Sequence, residues 1–428
     1  MNNRCPIAAT PPMGWNSWDC WGPAVEEAAV RENADFMARY LKPWGWEYIV
    51  VDIQWYEPTA SIYSYHPFAP LCMDGYSRLI PAENRFPSSA GGKGFKPLAD
   101  YVHSLGLKFG IHIMRGIPRQ AVHAGTPILG TAVTARDIAK ADSICHWNTD
   151  MYGVDPEKPG AKEYYDSIFA LYASWDVDFI KCDDICRELP QEETELYLLS
   201  QSLRNCGRDM VLSLSPGPAL PEKAEVYKET ANMWRITDDF WDKWELLYDM
   251  FRRADTWAAH AGPGHWPDAD MLPVGPLRQN ESTDDRTRFT QDEQKTMLTL
   301  WSILRSPLMI GGNMPGFDAF TVKLLTNPGI LEMHRTCRNA RQTRRLRDAS
   351  GEIAVWTADG MDGRCYIALF NLGETPQTLR PSAEPGFENG ESAVELWSGE
   401  ALLPEAAVTV PPHGVKVYKI SESKEVLF

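Results

Sequence analysis

The sequence contains no apolar run approaching the roughly 18 residues of a membrane-spanning helix, which excludes a bilayer protein of that kind. It has no surplus of basic charge either. Against 58 Asp and Glu stand 42 Lys and Arg, a formal net charge of −16, whereas phosphate backbones and anionic membranes are held through excess Lys and Arg. Nucleic acid and membrane are therefore not expected partners, and a neutral ligand fits better. Cysteine is sparse: nine residues, odd in number and scattered, with Cys182 and Cys186 the most suggestive pair. Without a second close pair or clustered His, a zinc site is not expected, and reduced thiols point to the cytoplasm. The first residues, Met1-Asn2-Asn3-Arg4-Cys5-Pro6, carry no apolar signal core, so a cleaved leader is not expected. Internal repeats and low-complexity tracts are also lacking.

What remains is an ordinary globular composition, 44% hydrophobic and 23% charged, in 428 residues, too long for one ordinary core. One large and one small domain are expected. From the start to about residue 315, β-rich apolar runs alternate with helical patterns. Strands are expected at 13–18, 48–53, 107–113, 177–183, 210–215, 231–237, 258–263 and 307–311, with helices such as 26–41 and 162–174 between them. Continuous apolar strands alternating with helices imply a parallel sheet, and eight such units imply a closed (β/α)8 TIM barrel over residues 1–336. From residue 337 to 428 the pattern changes to short alternating strands punctuated by Gly, Pro and Asn, which reads as a C-terminal antiparallel β-sandwich domain.

In such a barrel the chemistry sits at the C-terminal ends of the strands and in the loops that follow. Asp52, His112, Asp183, Ser215, Asp239 and Asp268 fall at or just after those ends, and the long connections at about 56–96 and 115–159 are expected to frame a pocket. Two segments stand out, because Ile180-Lys181-Cys182-Asp183-Asp184 and Arg235-Ile236-Thr237-Asp238-Asp239 each run out of a strand into aspartates. Asp in that place is also common turn and N-cap chemistry. Two carboxyl groups facing one space are nonetheless what hydrolysis of a glycosidic bond needs, one to attack carbon or activate water and one to protonate the leaving oxygen. Sixteen Trp, many beside Asp or Asn, add aromatic faces that suit sugar rings.

Six motifs then fall in one order: Pro11-Pro12-Met13-Gly14-Trp15-Asn16-Ser17-Trp18, Lys108-Phe109-Gly110-Ile111, Asp178-Phe179-Ile180-Lys181-Cys182-Asp183, Trp234-Arg235-Ile236-Thr237-Asp238-Asp239, residues 261–272 and Ser306-Pro307-Leu308-Met309. Together they resemble glycoside hydrolase family 27, the α-galactosidase family, over nearly the full length. The resemblance implies a barrel followed by a β-sandwich, and an exo-acting retaining hydrolase that releases a terminal galactose-configured sugar by double displacement, without metal or cofactor. Mapped by motif, Asp183 is the nucleophile and Asp239 the acid/base. Lys181 beside Asp183 favours an ionised nucleophile, and Asp239 is expected to be kept protonated by desolvation or a neighbouring negative charge. Asp184 and Asp238 should point elsewhere if the backbone stays extended. The same mapping makes Trp18 a pocket wall, gives Asp52 and Lys181 the ring hydroxyls, sets Arg235 and Asp270 near the acid/base and the 2-position, and makes Met271 the floor. His112 stands where the family usually has Tyr, and the mapping makes it a polar wall of the substrate pocket.

Two departures from the family pattern bear on the substrate. Galactose-binding members usually show Asp-Asp-Cys-Trp after strand two, where this chain reads Asp52-Ile53-Gln54-Trp55. Ile53 accepts no hydrogen bond, which suits a sugar without the hydroxymethyl arm, and β-L-arabinopyranose matches α-D-galactose in ring configuration without that arm. Leu214-Ser215-Pro216-Gly217-Pro218 replaces a Cys-Glu-Trp loop facing the 2-position, so neither a free hydroxyl nor an N-acetyl group is favoured there. α-Galactosidase, β-L-arabinopyranosidase and α-N-acetylgalactosaminidase all remain open. A carbohydrate-binding protein without turnover is the rival outside the enzymes, and the paired Asp183 and Asp239 argue against it.

Overall fold

A computed structural model describes residues 7–421, apart from 62–63, 280, 283–284, 350, 384–391 and 403–405. Eight parallel strands build the first domain: β1 (Met13–Asn16), β2 (Tyr48–Val51), β3 (Lys108–Met114), β4 (Phe179–Asp183), β5 (Val211–Leu214), β6 (Met233–Arg235), β7 (Trp266–Asp268) and β8 (Leu308–Ile310). Each strand from β1 to β6 pairs with the next, and β8 pairs with β1. The ring closes just past β7 through a parallel bridge between Leu272 and Ile310, where Leu272 N donates to Met309 O at 2.7 Å and Gly311 N to Leu272 O at 2.9 Å.

The two-residue period of a strand sorts its side chains into layers. Tyr48, Val50, Phe179, Val211, Met233, Trp266 and Met309 form an apolar cluster that fills the barrel. Ile49, Val51, Ile180, Leu212 and Trp234 belong instead to the larger core. Two residues further along the inner face come Asp52, Lys181, Ser213, Arg235 and Asp268, so the polar layer lies directly above the apolar one.

The seventh strand is not where the sequence suggests. Residues 258–260 form a 3-10 turn, Gly262 and His265 a bridge, and the strand is Trp266–Asp268. Ala and Gly at 258–262 offer little to fill a barrel, whereas Trp266 is fully buried in it. Of the expected helices, one runs Glu27–Phe36 and continues as a π turn through Leu41, and another spans Ala161–Ser174.

The antiparallel domain begins with Arg338–Asp348. That strand leads a six-stranded sheet continuing through Gly351–Asp359, Cys365–Asn371, Val415–Ser421, Ser392–Glu395 and Ala401–Leu402, with Gln377–Leu379 and Val408–Val410 as a second, two-stranded sheet. Val355, Ile367, Leu369, Val410, Tyr418 and Ile420 pack as this sandwich's own core. The larger core cluster runs from the barrel helices to Trp356, Phe370 and Val417 on the sheet's other face. Among the described residues no helix is long and apolar enough to cross a membrane, and the eight described cysteines are free.

Candidate active site

Asp183 ends β4 on the inner face, 8% exposed. Its Oδ2 lies 3.0 Å from Nε2 of the fully buried His112 on β3. Burial alone would push this carboxyl up, but the His112 hydrogen bond and the positive charges of Lys181 and Arg235 outweigh it and hold Asp183 well below the usual carboxylate range. Lys181, two residues earlier on the same face, donates to Asp52 Oδ2 at 2.7 Å, and Asn16 Nδ2 donates to that oxygen at 2.7 Å. Asp52 is itself lowered, because Lys181 and His112 overcome its burial. An anionic carboxyl at Asp183 and a charged pair at Asp52 and Lys181 therefore share one end of the barrel.

Arg235, ending β6, holds the second group of acids. Nη2 contacts Asp239 Oδ1 at 3.0 Å and Nη1 contacts Asp270 Oδ1 at 2.8 Å. Asp270 is buried, and burial, reinforced by Asp239 and Asp268 against Arg235, pushes it up to about 7. The Asp239 side chain is 50% exposed. Asp270 shares the Arg235 guanidinium with it. Gly217 allows the loop after β5 to lie against this turn, since a Cβ there would fall 2.2 Å from Thr237 O.

The adjacent acids take different routes. Asp184 has a left-handed φ of 61°, which turns its side chain away from the pocket to Arg115 Nη2 at 3.0 Å. Asp238 does not turn away: it lines the same cavity, yet its carboxylate is occupied by Arg187 Nη1 at 2.8 Å.

These groups line a cavity of about 280 Å³ bounded by Trp18, Asp52, Ile53, Lys181, Asp183 and Asp239. It lies at the small end of ligand pockets, about 300 Å³ upward, a size for one sugar ring. Asp270 and Met271 lie one layer lower, beside Asn16 and Met309. Ile53 lies just past the end of β2, where strict alternation has lapsed, and lines the cavity while remaining 1% exposed. Among the described residues, one group has metal-ligand spacing, Asp100, His103 and Asp176, and these already contact Lys96, Asp178 and Arg208.

The sequence matches the family profile described as alpha galactosidase A over residues 156–335, and that of the alpha galactosidase C-terminal beta sandwich domain over 350–420. Alpha-galactosidase 2 of Arabidopsis thaliana is 27% identical, covering 99% of this chain and 92% of its own. A family 27 β-L-arabinopyranosidase from Geobacillus stearothermophilus is 54% identical, with 98% of both chains covered and a TM-score of 0.94. The chain belongs to glycoside hydrolase family 27. A variant of that Geobacillus enzyme has been solved in complex with arabinose, with a TM-score of 0.92 at 54% identity over 97% of this chain and 98% of the other. A Bacillus halodurans C-125 protein provisionally described as an α-N-acetylgalactosaminidase is 49% identical, covering 98% of this chain and 99% of its own, with a TM-score of 0.85. This family 27 protein is a glycoside hydrolase, and its substrate is a sugar.

Sequence reasoning missed several of the hydrolase's pocket residues: Tyr65, His146, Trp147, Arg187 and Pro216. The first three come from the two long connections that were expected to frame the pocket. Trp147-Asn148 is one of the Trp and Asn neighbours noted above, but Tyr65 carried no signal of its own. Pro216 occupies the cavity wall in the loop where family members commonly have Glu.

Proposed function

We propose that this hydrolase is an exo-acting retaining β-L-arabinopyranosidase in which Asp183 is the nucleophile and Asp239 the acid/base. The observation that carries the sugar assignment is Ile53, which lines the cavity beside Asp52 and presents hydrocarbon where galactose-binding relatives present a carboxylate. A galactose hydroxymethyl would lose an acceptor there, whereas a pentopyranose has nothing to lose. The 54% identity to an arabinopyranosidase supports the same reading.

In this mechanism the ionised Asp183, oriented by His112, attacks the anomeric carbon while Asp239 protonates the departing oxygen. Water then adds to the glycosyl-enzyme as Asp239 takes its proton, and configuration is retained. Asp52 and Lys181 hold ring hydroxyls, Trp18 walls the ring, and Arg235 keeps Asp239 in place.

The test is kcat/KM on aryl β-L-arabinopyranoside, α-galactoside and α-N-acetylgalactosaminide with one leaving group. The arabinopyranoside is expected to be the best substrate. Ile53→Asp is expected to shift the ratio toward galactoside on the order of tenfold to a hundredfold, the equivalent of a charged hydrogen bond of roughly 1.5–3 kcal/mol. A parallel loss on both sugars would remove the assignment.

A further inference from the structure

Tyr65 comes from the long connection after β2 and lines the cavity with Ile53 and Asp52. Its ring stacks on Trp18, centroids 5.8 Å apart at 18°, and tilts against Trp147 at 5.7 Å and 42°. Three aromatic side chains from the connections after β1, β2 and β3 therefore form one wall. The phenol is pushed well above its ordinary value by burial first, then by the carboxylates of Asp183, Asp52 and Asp239. Asp183, Asp52 and Asp239 line the same cavity as Tyr65.

Simple packing of Trp18 would explain the stacking but not a ring that lines the cavity together with Ile53 and three acids. A hydroxymethyl arm has two heavy atoms and adds more than one water's share of about 30 Å³ to what the cavity of about 280 Å³ must hold beside Ile53 and Tyr65.

We infer that Tyr65 is a second specificity-determining residue, a wall that leaves room for a pentopyranose and excludes a sugar bearing a hydroxymethyl arm. This rests on the arabinopyranosidase reading of the same site. Ile53 withholds the hydrogen bond that the arm would seek, and Tyr65 withholds the volume. Steric selection of this size discriminates by about 10- to 200-fold.

The experiment measures kcat/KM of the full chain and of Tyr65→Ala, Tyr65→Leu and Tyr65→Phe on aryl β-L-arabinopyranoside and aryl α-galactoside, each with two leaving groups. Tyr65→Ala is expected to move the ratio toward galactoside by roughly tenfold or more. Tyr65→Leu should move it less, and Tyr65→Phe, which keeps the ring, by no more than about threefold. Equal loss on both sugars overturns the inference and leaves Tyr65 a packing residue. An effect that follows the leaving group also overturns it. If the alanine variant does not fold, the leucine variant carries the same comparison. A wild type that prefers galactoside would sink the arabinopyranosidase reading itself, whereas a wild type that prefers arabinopyranoside with an immovable ratio sinks only the role of Tyr65.

Discussion

Asp183 and Asp184 are adjacent yet sit in opposite surroundings. The first faces Lys181, His112 and Arg235 across the pocket, and the second is turned by a positive φ into a buried cluster with Arg115. Asp183→Ala should therefore abolish turnover, while Asp239→Ala should retain activity best on aryl glycosides whose leaving groups need little protonation, with azide restoring part of the rate. Single-turnover kinetics on activated and unactivated substrates check both. Asp184→Asn or Asp238→Ala behaving in this way would show that the acids are misassigned. Asp183 was legible in the sequence because a period-two strand and a motif both point to it. Tyr65 was not, because its place depends on the path of a long connection whose local sequence specifies no element.

At the scale of elements, the wall that carries His146 and Trp147 is a small antiparallel sheet of Ile117–Pro118, Ala139–Ile144 and Met151–Val154. Arg115 fastens it to the barrel: its guanidinium reaches Asp184 at 3.0 Å, Glu195 at 3.4 Å and Ser143 Oγ at 2.8 Å, and Glu195 accepts from Val154 N at 3.0 Å. Burial pushes Glu195 up to about 7 and Asp184 up to about 6, with Arg115 working against it in both. Both carboxyls bind protons more tightly in the fold than in the unfolded chain. Their contribution to stability is thus fully present below the ordinary carboxylate value of about 4 and is lost as pH rises through about 6 to 7. Arg115→Met leaves these buried acids without their cation and should cost about 3–5 kcal/mol at neutral pH. Because protonation relieves the uncompensated charge, the loss should shrink by pH 5; urea unfolding at pH 5 and pH 7.5 measures the difference. Seven barrel strands were legible as apolar runs. The seventh was not, since Trp266–Asp268 has three residues, one of them Pro267, and proline argues against a strand when only sequence is seen.

For the whole molecule, the joint between barrel and sandwich is built as core. Phe251 meets Phe370 with centroids 4.9 Å apart, Trp244 stacks on His413 at 3.6 Å, and Trp397 Nε1 donates to Thr299 Oγ1 at 3.0 Å. A chain whose two domains share one apolar cluster should unfold as one unit, so calorimetry is expected to give a single transition with matching calorimetric and van't Hoff enthalpies. Two separated transitions would show that the joint is only a contact. The barrel's own closure is far thinner, the bridge between Leu272 and Ile310 next to Asp270 and Met271. A ring fastened by so short a clasp should breathe there first, letting solvent deuterium reach the amides of Leu272 and Gly311 before those of β3 and β4. A sugar held by Asp270 and Met271 would grip the clasp from inside, and bound arabinose is expected to slow exchange at those two amides more than elsewhere in the ring. In that sense the substrate would act as the barrel's last stave.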